Sequence, residues 1–184
     1  METRFAGKAF VFGKNIDTDQ IYPGRFVELT EVEDIKKYAM YGADEEFTKK
    51  FVAGDIIVAD TNFGCGSSRE HAAWAIAGYG FRVVISSFFA DIHKNNELNN
   101  FVLPVVVSED FLAELFATLA SDPQARVRVD VPSQTVRNLS TGREEKFELS
   151  AYKKYCLVNA LDDIDYLLEH KDRIEAYEKA SSRY

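Results

Sequence analysis

The chain is poor in sulfur: only Cys65 and Cys156 occur in 184 residues. A disulfide framework is excluded, and two thiolates alone hold neither an iron–sulfur cluster nor a structural zinc. Any such metal chemistry has to come from a partner. Positive charge is also short, with 22 Lys plus Arg against 30 Asp plus Glu and a formal net charge of -8. That balance argues against a generic grip on nucleic acid. No window approaches the roughly 20 apolar residues that cross a bilayer. Met1-Glu2-Thr3-Arg4 leads into mixed polar sequence rather than the apolar stretch of a secretion signal, so a soluble cytoplasmic setting without a membrane partner is expected. No Pro/Gly-rich linker divides the chain, and a single domain over residues 1–184 is the expectation. What is abundant is apolar and aromatic: 46% of the residues are hydrophobic, with 14 Phe and 9 Tyr, ample for one packed core.

The densest apolar runs are short, β-branched and bounded by turn residues: Asp55–Ala59, Arg82–Ser86 and Leu103–Val107. They read as buried strands. Between the first two lies an Ala-rich segment, Ser67–Ala77, closed by Gly78 and Gly80; after the third comes Glu109–Ala120 with Phe111, Leu112, Leu115 and Leu119 at helical spacing. Both read as helices. The alternation predicts an α/β fold: a mostly parallel buried sheet with flanking helices. The second half changes character. Arg126–Val131 alternates polar and apolar residues, Gln134–Asn138 resumes after Pro132-Ser133, and Lys146–Leu149 extends again after Ser140-Thr-Gly142. That pattern predicts an antiparallel meander with one wet face. A helix is expected over Val32–Tyr41 and an amphipathic helix over about 162–180, packed on the body, with a partner-binding helix as the alternative.

One segment carries chemistry: Asn62-Phe-Gly64-Cys65-Gly66-Ser67-Ser68-Arg69-Glu70-His71, between a buried strand and the Ala-rich helix. Two glycines permit a tight turn with exposed backbone. A helix start offers unpaired N–H groups and partial positive charge, and two hydroxyls plus a guanidinium beside it suit a carboxylate. A competing reading needs no substrate: Ser67 and Glu70 spell a capping box worth about 1 kcal/mol. That box leaves Arg69 unexplained, since a cation in the first turn opposes the helix dipole. Neither a hydrolase elbow nor a phosphate loop fits. The segment is not Gly-x-Ser-x-Gly, His71 is badly placed to deprotonate Ser67, and no Lys precedes the hydroxyl. Cys65 reads either as a small packed residue or as a thiolate activated by the helix start.

Three patches in order, Asn15-Ile-Asp-Thr-Asp-Gln-Ile-Tyr-Pro-Gly-Arg25, Asn62–His71 and Ser87-Phe-Phe-Ala-Asp-Ile-His-Lys-Asn95, give the chain its resemblance to the small subunits of 3-isopropylmalate dehydratase, the swivel domain of the aconitase superfamily. The likeness extends through Gly54–Val58 and Asn138–Gly142. It implies a swivelling β/β/α domain and a hydro-lyase reaction. It also implies a separate large subunit carrying a [4Fe-4S] cluster, with no metal held by this chain. In such enzymes the cluster acts as a Lewis acid on a small branched dicarboxylate, while a serine of the swivel domain takes a proton from the neighbouring carbon. By motif position the resemblance makes Ser67 that base. Ser68, Arg69, Gly66 and Arg25 then hold substrate carboxylates and the anionic intermediate.

In this family the loop after Pro23 reaches towards the group that distinguishes substrates. Here it holds Phe26, Val27, Glu28 and Leu29. The apolar members suit an isopropyl or methyl branch, and Glu28 is wrong for the extra carboxylate of homoaconitate. The resemblance therefore implies interconversion of 2- and 3-isopropylmalate in leucine biosynthesis. A related dehydratase of a methylated malate, or a carboxylate-binding module without turnover, stays open, as does self-association of isolated chains. Asp91 and His93 in the third patch are expected to form a salt-linked helix surface.

Overall fold

The computed structural model describes residues 3–52 and 54–181. Four parallel strands form its centre: β1 (Arg4–Phe12), β2 (Ile56–Ala59), β3 (Val83–Ser86) and β4 (Leu103–Val106). Three antiparallel ones follow: β5 (Arg126–Asp130), β6 (Thr135–Asn138) and β7 (Glu144–Lys146). Among the described residues they make one mixed sheet in the order β4-β3-β2-β1-β5-β6-β7. The expected α/β arrangement and meander are both present, and the meander extends the parallel sheet across β1. The β-branched runs sit where a strand is covered on both faces. Alternate residues of β2 enter opposite cores, Ile56 and Val58 on one side and Ile57 and Ala59 on the other.

Helices cover both faces. The first core takes Phe111, Leu112, Leu115 and Leu119 of the helix Glu109–Ser121, together with the meander valines. The second takes Ala72, Ala75 and Ile76, together with Ile21, Ile35 and Phe47 from the long connection after β1. That connection contains three short helices, α1 (Thr18–Ile21), α2 (Val32–Ile35) and α3 (Phe47–Lys50). Then come α4 (His71–Tyr79), α5 (Asp91–Asn99), α6 (Glu109–Ser121), α7 (Ala151–Asn159), α8 (Asp163–Glu169) and α9 (Lys171–Ala180).

Several expected elements are revised. The helix over Val32–Tyr41 stops at Ile35 and tightens into a 3-10 turn, Lys36–Tyr38. The chain must bend back there so that Met40 N–H reaches Ile21 O (2.7 Å) and Ala43 N–H reaches Gln20 O (3.0 Å). The last meander strand is Glu144–Lys146, ahead of the expected Lys146–Leu149, because beyond Phe147 the chain leaves the ladder for α7, whose start is capped by the Ser150 hydroxyl. The single helix expected over 162–180 is broken at His170. Its ring bonds the Tyr166 carbonyl (2.9 Å), leaving its own N–H to the Leu167 carbonyl. Nor does that tail bury its apolar face: Ile164 is 63% exposed and Leu168 62%. The central strand β1 was not anticipated at all. Gly7 and Lys8 interrupt its apolar pattern, yet glycine is required where the backbone of Gly54 and Asp55 crosses it.

A Cβ on Gly7 would overlap the Gly54 carbonyl oxygen. Gly7→Ala should therefore destabilise the fold by about 1–3 kcal/mol, read as a shift in the urea midpoint with an unchanged slope.

Candidate active site

The three sequence patches meet beyond the carboxyl ends of β1, β2 and β3, where open α/β sheets place their ligands. They continue the parallel ladder as single bonds. Asn15 N–H donates to Thr61 O (3.0 Å), Gly64 N–H to Ile16 O (2.7 Å) and Thr18 N–H to Cys65 O (2.8 Å). On the other side Phe63 N–H donates to Phe88 O (3.1 Å) and Ala90 N–H to Phe63 O (3.0 Å). Asn15 and Asn62 both adopt positive φ and their amides bond each other at 2.9 Å. Gly64 (φ 75°) and Gly66 (φ 99°) turn the chain between them.

This turn delivers Ser67 exposed. The Ser67 N–H donates to the hydroxyl of buried Thr18 (3.0 Å), which fixes the backbone. The Ser67 oxygen accepts from Arg69 Nε at 3.0 Å and from Arg69 N–H at 3.4 Å. The guanidinium continues to Asp19 Oδ1 (Nη2, 2.7 Å), which also accepts from Gly24 N–H (2.9 Å). A cation holding a hydroxyl oxygen favours the ionised form of that hydroxyl. A second carboxylate, offered by a ligand, matches the same guanidinium fork.

The capping box anticipated at Ser67 and Glu70 does not form. Helix α4 begins only at His71 with no side-chain cap, and Glu70 instead accepts from Asn100 Nδ2 (2.9 Å). Gly66 and the residues after it hold the chain off the helical path, so the Ser67 oxygen is not spent on helix N–H groups. Arg69 likewise precedes the first turn and is answered by Asp19, not opposed by the dipole. Capping boxes lie elsewhere, at Asp17 with Gln20 and at Asp162 with Asp165. Sequence reading missed Asp19 as the partner of Arg69, although it stands in the first patch.

The other expected residues divide. Gly66 and Ser68 are exposed in the same turn, and Ser68 O accepts from Asn96 Nδ2 (3.4 Å). Arg25 is exposed, its guanidinium 4.9 Å from the Phe26 ring centre and 5.4 Å from that of Tyr41. It borders a hollow of about 330 Å³ that Asp19 also lines. Phe26 faces the protein, stacked on Tyr38 at 3.8 Å, and Leu29 packs on the same core. Val27 is half-buried and Glu28 exposed. The larger cavity, about 710 Å³ between β1 and α6, contains none of these residues. Burial, with Asp17 close by, pushes the Cys65 thiol up, which favours the packed, unreactive reading.

His93 and Glu97 contradict the expected salt-linked surface. Both lie inside, 2% and 0% exposed, with His93 Nε2 3.2 Å from Glu97 Oε1 and, among the described residues, no hydrogen-bond partner for the polar atoms of either side chain. The imidazole lies against Gly64, where any Cβ would overlap it. Asp91 is exposed, as expected. Nothing in the local sequence betrays this burial, because α5 also exposes Ile92 and so inverts the usual polarity of a helix. Among the described residues no three His, Cys, Asp or Glu side chains gather to hold a metal. The chain's own residues therefore do not fit a cluster.

The class of protein follows from this construction and from comparison. Residues 11–110 match the family model of the aconitase C-terminal domain, and the chain belongs to that family. Within it the chain is 49% identical over 177 residues to the 3-isopropylmalate dehydratase small subunit of Azobacteroides pseudotrichonymphae, covering 90% of each chain. It is 48% identical over 178 residues to that of Cytophaga hutchinsonii, covering 91% of this chain and 89% of the other. The crystal structure of 3-isopropylmalate dehydratase from Methanocaldococcus jannaschii superposes with a TM-score of 0.78 at 31% identity, over 95% of this chain and 99% of that one.

Desolvation raises the Glu97 carboxyl above its ordinary value of 4.5, outweighing the opposing effects of His93 and Lys94. The folded state then binds the proton more tightly than the unfolded one. This contribution to stability is complete below pH 4.5 and is lost as pH rises towards the folded value. Glu97→Gln should remove that loss, so denaturant titrations from pH 4 to 8 should show the variant gaining on the parent as pH increases.

Proposed function

We infer that this chain is the small subunit of a 3-isopropylmalate dehydratase. It completes a hydro-lyase site on a large subunit that interconverts 2- and 3-isopropylmalate in leucine biosynthesis. The observation that carries the reading is the exposed Ser67 oxygen held by Arg69, on a glycine turn at the carboxyl end of the parallel sheet. Among the described residues no helix is long and apolar enough to cross a membrane. A cytoplasmic setting agrees with that and with a water-soluble dicarboxylate substrate.

In this reading the [4Fe-4S] cluster belongs to the large subunit, and this chain's residues bind substrate and move one proton. Ser67 as alkoxide takes the proton from the carbon next to the one that bears the hydroxyl. The electron pair of that C–H bond becomes the new double bond, and hydroxide departs from the neighbouring carbon. Hydroxide then adds to the carbon that lost the proton, and Ser67 returns its proton to the carbon that lost the hydroxide, which gives the isomer and restores the alkoxide. A free serine is far too weak an acid to be ionised at neutral pH, so its alkoxide needs local positive charge. Arg69 Nε supplies it at 3.0 Å.

The pair Arg69–Asp19 is the resting form of the substrate clamp. Arg69 is about a third exposed, and a substrate carboxylate takes the two-pronged position on its guanidinium when it enters. Ser68 and the backbone of Gly66 face the developing anion, and Arg25 holds the more distant carboxylate across the hollow shared with Asp19. Val27 and Glu28, less enclosed than Phe26 and Leu29, are the loop residues left to meet the branch of the substrate.

The test is reconstitution with the cognate large subunit under anaerobic conditions. The wild-type chain should confer isomerase activity, and absence of turnover by a competent, cluster-loaded pair would sink the reading. Ser67→Ala should lower kcat by at least about 10²–10⁴-fold, the usual worth of a positioned base, while KM changes little. Arg69→Lys should act mainly on KM, because one ammonium cannot replace the planar fork.

A further inference from the structure

Ser67 and Glu70 have the spacing of a capping box, and Glu70 already has helical backbone angles (φ -75°, ψ -19°). Only Ser68 and Arg69 would have to turn helical for α4 to begin at Ser68 instead of His71, with the Ser67 oxygen on the Glu70 N–H. Such a start satisfies backbone N–H groups that a helix end otherwise leaves open. It would also take the Ser67 oxygen away from Arg69 Nε, which now holds it at 3.0 Å. The box is therefore a local competitor of the arrangement that the proposed chemistry needs.

Helix α5 opposes it. Asn100 ends that helix, and its half-buried side chain is fixed there: Nδ2 donates to Asn96 O (2.9 Å) and to Glu70 Oε1 (2.9 Å). The carboxylate that would close the box is thus held by another element. The N–H it would return to, that of Ser67, is taken by the Thr18 hydroxyl (3.0 Å). The same face of α5 runs along the rest of the segment. Asn96 Nδ2 reaches Ser68 O (3.4 Å), a carbonyl that a longer α4 would claim, and His93 lies against Gly64. Residues 93, 96 and 100 recur at helical spacing, so α5 turns polar side chains towards the turn and leaves Ile92 outside.

We propose that Asn100 is a positioning residue: by holding Glu70 on α5 it keeps the capping box open and leaves the Ser67 oxygen on Arg69. It touches no substrate and acts through Glu70. This rests on the function proposed above, in which the Ser67 oxygen takes the proton. The chain closes capping boxes at the starts of α1 and α8, where no such oxygen is needed, and forgoes one at α4.

The isolated chain gives one readout and the pair reconstituted with the cognate large subunit the other. Asn100→Ala frees the Glu70 carboxylate and lets the box close, so protection of the amide at position 70 from hydrogen exchange should rise at least about ten-fold. In the reconstituted pair kcat/KM should fall at least about ten-fold, because the competent form of the turn becomes the minor population. Glu70→Ala removes the box together with the bond and should keep kcat/KM within about two-fold of wild type; added to Asn100→Ala, it should restore both readouts. Asn95→Ala, an exposed amide on the same helix, should alter neither. Should Asn100→Ala fail to fold, Asn100→Ser, also too short to reach Glu70, gives the same comparison. A role in stability alone gives another pattern, in which the two single variants lower the melting temperature and kcat/KM alike and neither rescues the other. That pattern overturns the proposal, as does a change in either readout without the other. A wild-type pair that turns over no substrate, while the amide responds as stated, overturns the function and leaves the hold of Asn100 on the turn. If the amide does not respond either, both fall.

Discussion

The structure depends on how closely three loops approach one another beyond the ends of β1, β2 and β3. The bonds from Gly64 N–H to Ile16 O and from Thr18 N–H to Cys65 O bring the two polar loops within ladder distance, and those between Phe63 and the Phe88–Ala90 segment bind the third. Such an approach requires a residue without a side chain at Gly64, where His93 fills the space below, and a positive φ there and at Gly66. Without these, the turn could not rise above the sheet and the hydroxyl of Ser67 would face protein. Backbone hydrogen bonding and steric exclusion, rather than any strong single contact, therefore set the position of the Ser67 oxygen.

Charge is then layered on that scaffold. Asp19 and Arg69 lie fifty positions apart and meet because the first and second loops are zipped side by side. Their pairing is exposed enough that its net worth is small, as for most surface pairs. A small resting energy suits the clamp proposed above, in which the guanidinium exchanges its internal carboxylate for an external one. Ser67 is held by the same guanidinium through a different nitrogen, so loss of the Asp19 contact need not disturb the Ser67 oxygen.

Legibility in the sequence follows the range of the forces involved. The β-branched runs of β2, β3 and β4 were readable because a strand buried on both faces leaves a local signature. β1 was not, because the reason for its glycine is the backbone of Gly54, nearly fifty residues later. In the candidate site, the residue types of Asn62–His71 suggest an anion-binding turn, and that much of the reading is local chemistry. The capping box at Ser67 matched its pattern and failed, since pattern matching could not register that the glycine turn holds Ser67 to Arg69 ahead of the helix. The burial of His93 and Glu97 was hidden for the same reason, being imposed by Gly64 from another element.

The same distinction applies to the tail. Its helical spacing reads as a single amphipathic helix packed on the body, but spacing says only that one face is apolar, and nothing about a break at His170 or about which surface covers the face. The body of this chain has already filled both sides of its sheet, one with α6 and the meander, the other with α4 and the loops after β1. Among the described residues no uncovered sheet face is left for Ile164, Leu167 and Leu168 to close, and α7 meets α8 through Tyr166, Asp163 and Glu169 instead. An apolar face kept rigid yet uncovered gains nothing for the isolated fold. Burying it would take a surface beyond the two cores described, because both sides of the sheet are already filled.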